Sequence, residues 1–435
     1  MVSYIKKRLI SIAEVLHLRI FGHEMSEEMR KFIGNLSWSF FGIFFSSAFL
    51  FFGSVLIGRF LGPTEYGKYN LVLTISNIAV VIMFFGFDTT AVKFISESSE
   101  KEKQNQFMSN SLWAIMVLCP IIVALAFIFR NLISKIINTD DNLILIAFLF
   151  AFIVAFKTLF DSFIKAFHKF RYQAFVKIVE SSIFFSLVLY FFIFNNGHSY
   201  FYFLIPSIVA SLAVIFLYGK IIKNKLRKWN NESFLYSKAY LKLTLAVSFI
   251  GIFIGTADRL FIAKYLGIRE LGIYSAYLMS STIIIGQLVL ALSNVFFPMM
   301  NKAENKREII SKVDKLMLAA FIPLVISISL LSFILLKFFG SQYGVNWIYI
   351  VFVSVISFLQ IITSFYGAIT SSSVVLFKLT SRVYYFKPIF IATLYLLAYS
   401  FSNFGLISIF FIMMCSYVYD ILNTKLAFKL IAVKQ

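Results

Sequence analysis

Residues 61–70 of the chain read LGPTEYGKYN, and residues 266–275 read LGIRELGIYS. When the chain is aligned with itself at a shift of 205 residues, the windows 56–70 and 261–275 share six of fifteen residues. Each window lies between two long apolar segments. Because self-similarity at a fixed period indicates repeated structural units, the two windows predict a chain built of two halves with the same order of elements.

The composition is that of a membrane protein. Of the 435 residues, 60% are apolar and only 14% are charged, whereas soluble domains are about 45–50% apolar and about 25% charged. A helix needs about 20 mostly apolar residues to cross the hydrocarbon core, and helices satisfy their own backbone hydrogen bonds there. The chain is therefore predicted to be an all-α polytopic membrane protein.

We predict about twelve transmembrane helices in two six-helix halves, related by a parallel repeat axis along the membrane normal. The spans are expected at 32–57, 70–92, 108–129, 143–165, 174–194, 201–220, 243–263, 273–297, 314–337, 347–370, 383–400 and 405–425. The predicted organisation is an N-terminal segment 1–31 with an amphipathic helical pattern, a half at 32–220, a basic linker at 221–242, a half at 243–425 and a tail at 426–435.

The chain has a net charge of +20, and its basic residues are concentrated on one predicted side of the membrane rather than in a patch typical of nucleic-acid binding. Most Lys and Arg residues fall in the two termini and the even-numbered connections, and basic loops remain in the cytoplasm. This pattern predicts a multi-pass protein of the cytoplasmic (inner) membrane with both termini in the cytoplasm. It also predicts contact with membrane lipids and argues against nucleic acid as a partner.

A few ionisable residues lie inside the predicted spans. Placing a charged side chain within the bilayer costs free energy, so such residues usually face a cavity. Lys157 and Arg259 are the candidate substrate-binding charges, since both attract anionic groups such as phosphate. Asp88, Asp161 and Asp258 are candidates for charge balance or for binding a coupling ion. Lys157 and Asp161 are four residues apart and could pair on one helix face. The alternative role for all of them is ion pairing between helices or snorkelling to the interface.

The glycines of the repeated loop are interpreted as turn residues. Gly62 and Gly267 are expected to end the preceding helix in the left-handed conformation. Gly67 and Gly272 are expected to permit a second tight bend.

No catalytic motif is present. The chain contains no Walker loop, nucleophile elbow, H-E-x-x-H or dinucleotide fingerprint, and its His and Cys residues lack metal-ligand spacing. We therefore expect no enzymatic activity, no cofactor and no metal. Transport would be driven by an H⁺ or Na⁺ gradient or by consumption of the product.

Three stretches carry a family resemblance. LIGRFLGPTEYGKYN at 56–70 and GFDTTAVKFISE at 86–97 resemble the N-terminal signature of bacterial polysaccharide flippases. TADRLFIAKYLGIRELGIYSAY at 256–277 is similar to the second-half signature of the same family. These are the Wzx-type O-antigen and capsule repeat-unit translocases of the multidrug/oligosaccharidyl-lipid/polysaccharide exporter (MOP) superfamily.

This resemblance implies a MATE-like bundle that flips undecaprenyl-pyrophosphate-linked oligosaccharides across the membrane by alternating access. It also implies a role in the biosynthesis of lipopolysaccharide O-antigen or capsule, with polysaccharide polymerase as a candidate partner. Asp258 and Arg259 match the family's acidic-basic pair ahead of the second glycine loop. No comparable family motif surrounds Lys157, so its predicted role rests on its charge and position alone.

Three other functions are compatible with a helical membrane bundle. A multidrug exporter of the same superfamily would carry organic cations and should have an acidic lumen. A polysaccharide polymerase or glycosyltransferase should show long outer loops with clustered Arg or an interfacial carboxylate motif. A channel or scaffold would not need two tandem halves.

Overall fold

The computed structural model describes residues 27–194, 197, 199–286, 289, 306–371, 374–400 and 404–432. Within these ranges the chain forms helices and connecting turns. In chain order the helices are α1 (Glu27–Phe84), α2 (Phe87–Glu97), α3 (Lys101–Ile137), α4 (Asp141–Ala166), α5 (Phe170–Phe194), α6 (Tyr200–Ile222), α7 (Asn231–Phe261), α8 (Ile268–Leu278), α9 (Lys306–Phe339), α10 (Trp347–Ser371), α11 (Val374–Tyr384), α12 (Lys387–Ser400) and α13 (Leu406–Ala432).

Nine helical segments of the described residues are long and apolar enough to cross a membrane. One of them, at 44–84 within α1, contains parts of the first and second predicted spans, and α12 is a shorter apolar helix at the eleventh. The eighth predicted span, 273–297, and the N-terminal segment 1–31 extend beyond the described residues. The predicted all-α polytopic fold is confirmed.

The surface of the bundle is apolar. Large side chains such as Ile128, Phe194 and Leu318 are more than two-thirds exposed. A continuous apolar exterior of this kind marks a surface that contacts lipid. The helices therefore present their hydrophobic faces outward as well as inward, as the composition predicts.

Helix α1 is broken at Gly62, which has φ 71° and ψ 173°. The Ser54 and Tyr66 hydroxyls are 2.9 Å apart across the break, although residues twelve apart in a straight helix are separated by about 18 Å. The chain must therefore bend sharply at Gly62. The first two predicted spans are the two arms on either side of this bend.

The second half repeats the bend at the equivalent glycine. A π-helical turn, Ile262–Leu266, follows α7, and Gly267 then has φ 99° and ψ 166° before α8 begins. Positive φ is confirmed at both glycines, but ψ is extended rather than left-handed helical. This backbone region is open essentially to glycine alone, so the repeated sequence encodes a repeated conformation.

The second bend expected at Gly67 and Gly272 is absent, because both residues lie within regular helix. Each glycine instead admits a backbone from the other half. A Cβ on Gly67 would lie 2.9 Å from the carbonyl carbon of Ile268, and one on Gly272 would lie 2.8 Å from that of Pro63. Pro63 and Ile268 are themselves equivalent positions of the repeat. The repeat axis therefore passes close to these four residues, which we call the glycine seam.

The remaining connections bring the two halves together at the opposite end of the bundle. Helix α7 begins at Asn231, inside the predicted linker, and the Asn230 side chain caps it by accepting from the Ser233 N–H. Asn110 of α3 bonds to both the N–H and the carbonyl of Asn230. Helix α13 continues to Ala432, so the predicted tail is helical over its described residues. We call this end, which carries the basic connections, the basic end.

Candidate substrate-binding site

A cavity of about 310 Å³ opens within the first half, between α1, α4, α5 and α6. Its charged lining consists of Lys157 and Asp161 of α4 together with Lys177 and Glu180 of α5. Lys157 lies nine residues before the end of α4, which is about 13 Å along the helix axis. The cavity therefore lies within the bundle, nearer the basic end than the glycine seam.

The expected pairing of Lys157 with Asp161 does not occur. The Lys157 Nζ lies 2.7 Å from Glu180 Oε1 on the neighbouring helix, and both side chains are about one-quarter exposed. A partner on another helix can approach a lysine end-on, whereas a residue one turn away on the same helix constrains both side chains along the surface. Lys157 thus links α4 to α5 and also lines the cavity, so its structural and binding roles are compatible.

Asp161 is held by neutral donors instead. The amide nitrogen of Gln173 lies 3.0 Å from each of its carboxylate oxygens, and the Tyr218 hydroxyl donates to Oδ1 over 2.9 Å. Hydrogen bonds to an ionised carboxylate are stronger than those between neutral groups. This network therefore connects α4, α5 and α6 around the carboxylate without a lysine.

Lys177 and Glu180 were not among the predicted site residues. Both lie inside the fifth predicted span, where an ionisable residue is itself a signal of a cavity. Gln173, Lys177 and Glu180 follow the spacing i, i+4, i+7, so they share one face of α5. That face borders the cavity.

Asp258 and Arg259 occupy a separate position, near the glycine seam. The Tyr274 hydroxyl donates a hydrogen bond to Asp258 Oδ2 across the bend at Gly267. The other oxygen of Asp258 and the Nε of Arg259 are buried, without a hydrogen-bond partner among the described residues. Arg259 lies within electrostatic range of the Tyr66 hydroxyl of the first half. The pair therefore faces the boundary between the halves.

The predicted site residues lie at more than one place in the bundle. Asp88 lies in the first turn of α2, after a helix break at Gly86 (φ 85°), where a carboxylate suits the positive end of the helix. Arg259 is not among the described residues that line the cavity of Lys157. The structure thus brings Lys157 and Asp161 together in one cavity and places Asp88, Asp258 and Arg259 elsewhere.

The boundary between the halves is closed at the glycine seam. The Tyr343 hydroxyl, from the turn between α9 and α10, donates to the Gly58 carbonyl over 2.6 Å. The Gln342 amide donates to the Arg59 carbonyl over 3.1 Å. These two bonds join the halves at the same end as the glycine contacts. The two halves are therefore in direct contact at this end in the present conformation.

Further ion pairs stabilise the second half at the basic end. Lys387 Nζ lies 2.7 Å from Asp420 Oδ2, and the lysine side chain is only 5% exposed. Lys425 and Asp314 form a second pair at 3.1 Å.

Within the described ranges, no group of three or more His, Cys, Asp or Glu residues is arranged to hold a metal ion.

Solved structures of MATE transporters match this architecture. An inward-facing multidrug resistance MATE family transporter of the MOP superfamily matches with a TM-score of 0.59 at 12% identity, over 89% of this chain and 95% of that one. A MATE in the bent conformation gives 0.57 at 11% identity, over 94% and 98%. A MOP superfamily transporter from Pyrococcus furiosus gives 0.56 at 11%, over 95% and 100%. The protein is therefore a multi-pass membrane protein with the MATE fold.

The sequence itself assigns the family. The sequence model of the polysaccharide biosynthesis protein family matches residues 32–304, which is more than half of the chain. The chain therefore belongs to the polysaccharide biosynthesis protein family, and the family indicated by the glycine-loop motifs is confirmed. No curated protein matches the sequence significantly.

Proposed function

We propose that this protein flips undecaprenyl-pyrophosphate-linked oligosaccharide repeat units from the cytoplasmic to the outer leaflet for surface polysaccharide biosynthesis. The observation that carries the proposal is the charged cavity lined by Lys157 and Lys177 inside a bundle of this family. Sugar and pyrophosphate cannot enter hydrocarbon without a large desolvation cost. A polar cavity bordered by cations lowers that cost, and the prenyl chain can remain in lipid.

Alternating access follows from the two halves. Because the halves are in contact at the glycine seam, the present conformation corresponds in this proposal to access from the basic end. Rocking the halves about the seam would reverse this access. The contacts of Tyr343 and Gln342 with the first half must then break, because both cross the boundary.

The polarity of the cavity is the main guide to the substrate class. For the Pyrococcus furiosus transporter of the same fold, the reverse polarity of the binding pocket suggests a different function. Here the cavity carries two lysines and two carboxylates, and one carboxylate is already satisfied by neutral donors. Among the described residues, Lys177 is thus left without a direct ion-pair partner, which supports an anionic substrate at this lysine.

A multidrug exporter is the competing function, supported by the carboxylates Asp161 and Glu180 in the same cavity. Expression in a host lacking its drug pumps distinguishes the two. Resistance to several cationic drugs would support export of organic cations, whereas unchanged susceptibility is expected for a flippase.

The decisive cellular test is a clean deletion in a strain without a redundant transporter. Lipid-linked repeat units should accumulate on the inner leaflet, and surface glycan should be lost. Complementation with the wild-type chain should restore both. Normal surface glycan in the deletion strain would refute the proposed function.

A further inference from the structure

Three side chains on one face of α5 meet the two charges of α4 in the cavity. Gln173 donates to Asp161, and Glu180 pairs with Lys157. Lys177 lies between them on α5 and lines the same cavity. Each of the other four groups therefore has a partner across the helix interface.

Lys177 differs from these groups. It is only partly exposed, and within the described residues it has neither an ion pair nor a hydrogen-bond partner. A cation held in a partly enclosed site is costly unless an anion or water compensates it. Asp161 already accepts from Gln173 and Tyr218, and Glu180 already holds Lys157. In the part of the chain that the structure describes, Lys177 is therefore the cavity lysine without a direct anionic partner, although the lining as a whole carries two lysines and two carboxylates.

The cavity has room for an anionic group. At about 30 Å³ per water molecule, its 310 Å³ corresponds to roughly ten waters, which is enough for a diphosphate. Lys177 lies seven residues into α5, about 10 Å from the start of the helix. The exposed Lys169 and Arg171 stand at that start and border a second cavity of about 370 Å³ with His168. Positive charge thus continues from the basic end to Lys177.

We propose that Lys157 and Lys177 together bind the diphosphate of the lipid-linked substrate, and that Glu180 acts as a built-in competitor for Lys157. This inference rests on the proposed function and names the binding groups of that same cavity. When a diphosphate enters, Lys157 exchanges the Glu180 carboxylate for a phosphate oxygen, while Lys177 supplies a second ammonium group that has no direct partner in the described ranges. When the substrate leaves, Glu180 takes Lys157 back.

The competitor gives the site a moderate affinity. A carrier must release what it binds, and two free lysines in a partly dehydrated cavity would hold a diphosphate tightly. Because Glu180 replaces the departing anion at 2.7 Å from Lys157, release leaves only one cation unpaired. Removing the charge of Glu180 should therefore strengthen binding, which is the opposite of what a purely structural ion pair predicts.

The test measures equilibrium binding of farnesyl diphosphate to the purified full-length chain in detergent, with farnesol as the uncharged comparison. We expect Glu180→Gln to bind farnesyl diphosphate several-fold more tightly and Lys177→Met to bind it at least tenfold more weakly. Lys177→Arg should retain most of the affinity. The matched control is Lys165→Met, which removes an exposed lysine of α4 outside the cavity. It should bind as the wild type does. Thermal unfolding of each variant identifies loss of folding.

Wild-type protein that binds farnesol as well as farnesyl diphosphate would overturn the proposal. So would unchanged or weaker diphosphate binding by folded Glu180→Gln, or unchanged binding by Lys177→Met. These results would leave the flippase function intact if the deletion strain still traps lipid-linked units inside. Conversely, charge-dependent diphosphate binding in a protein whose deletion leaves surface glycan normal would preserve the site and refute the function.

Discussion

Substituting alanine at the glycine seam should push the two halves apart. A Cβ on Gly67 would lie 2.9 Å from the Ile268 carbonyl carbon, with the carbonyl oxygen nearer still, while ordinary contact begins at 3.4 Å. The carbonyl oxygen is the nearest atom, so the facing backbone must retreat by at least about 1 Å, and overpacking of this kind costs about 1–3 kcal/mol. That energy opposes only the state in which the seam is closed. The ratio of open to closed protein should rise by about 5–150-fold.

Spin labels at two equivalent, exposed positions, Thr64 and Arg269, would report this change in a cysteine-free background. Electron–electron distance measurements should show a longer-distance population in Gly67→Ala. Because the contacts are related by the repeat axis, Gly272→Ala should produce the same population. The double variant should fall short of additive, since both substitutions act on one seam.

The matched control is Gly251→Ala in α7, where an added Cβ would have no neighbour within 4 Å. Its distance distribution should equal that of the unsubstituted protein. If Gly67→Ala behaved like this control while remaining folded, the close approach of the halves at the seam would be wrong. A change in Gly67→Ala without one in Gly272→Ala would contradict the symmetry of the contact.

Two further predictions concern individual side chains. Tyr343→Phe removes the hydroxyl that donates to the Gly58 carbonyl, and the loss of a donor to a buried acceptor costs about 1–3 kcal/mol. The same spin-label pair should then show more open protein. An unchanged distance distribution would mean that this bond does not stabilise the closed state. Lys387→Met leaves Asp420 without its counter-ion, and breaking a buried pair costs about 3–5 kcal/mol, here near the lower limit because Asp420 is 28% exposed. The thermal unfolding midpoint in detergent should fall, and Lys387→Met combined with Asp420→Leu should recover most of it. Failure of the double variant to recover would assign the loss to packing.

The repeat and the membrane fold could be predicted because both depend on short, contiguous stretches of sequence. Gly62 and Gly267 stand in matched sequence contexts, and the apolar segments around them are long enough to identify as helices. The role of Gly67 and Gly272 could not be predicted in the same way. A glycine that permits a bend and one that admits a neighbouring backbone look alike in sequence, and the neighbour here lies about two hundred residues away.

The cavity was predicted only in part for a similar reason. The spacing of Lys157 and Asp161 allows a pair within α4, but Glu180 on α5 offers Lys157 a closer partner. Helix rotation and packing decide which residues of two adjacent helices face each other. Neither can be read from the sequence of one helix. The position of Arg259 near Tyr66 likewise depends on how the two halves pack at the glycine seam.

The most direct test of the central claim is a flipping assay in proteoliposomes that contain the purified protein and a fluorescent undecaprenyl-pyrophosphate oligosaccharide. Wild-type protein should move labelled lipid between leaflets, and Lys157→Ala and Arg259→Ala should slow this movement without loss of membrane insertion. Wild-type protein that leaves the lipid in its original leaflet, with any required ion gradient applied, would contradict the claim. Wild-type rates in both variants would contradict the assignment of these charges.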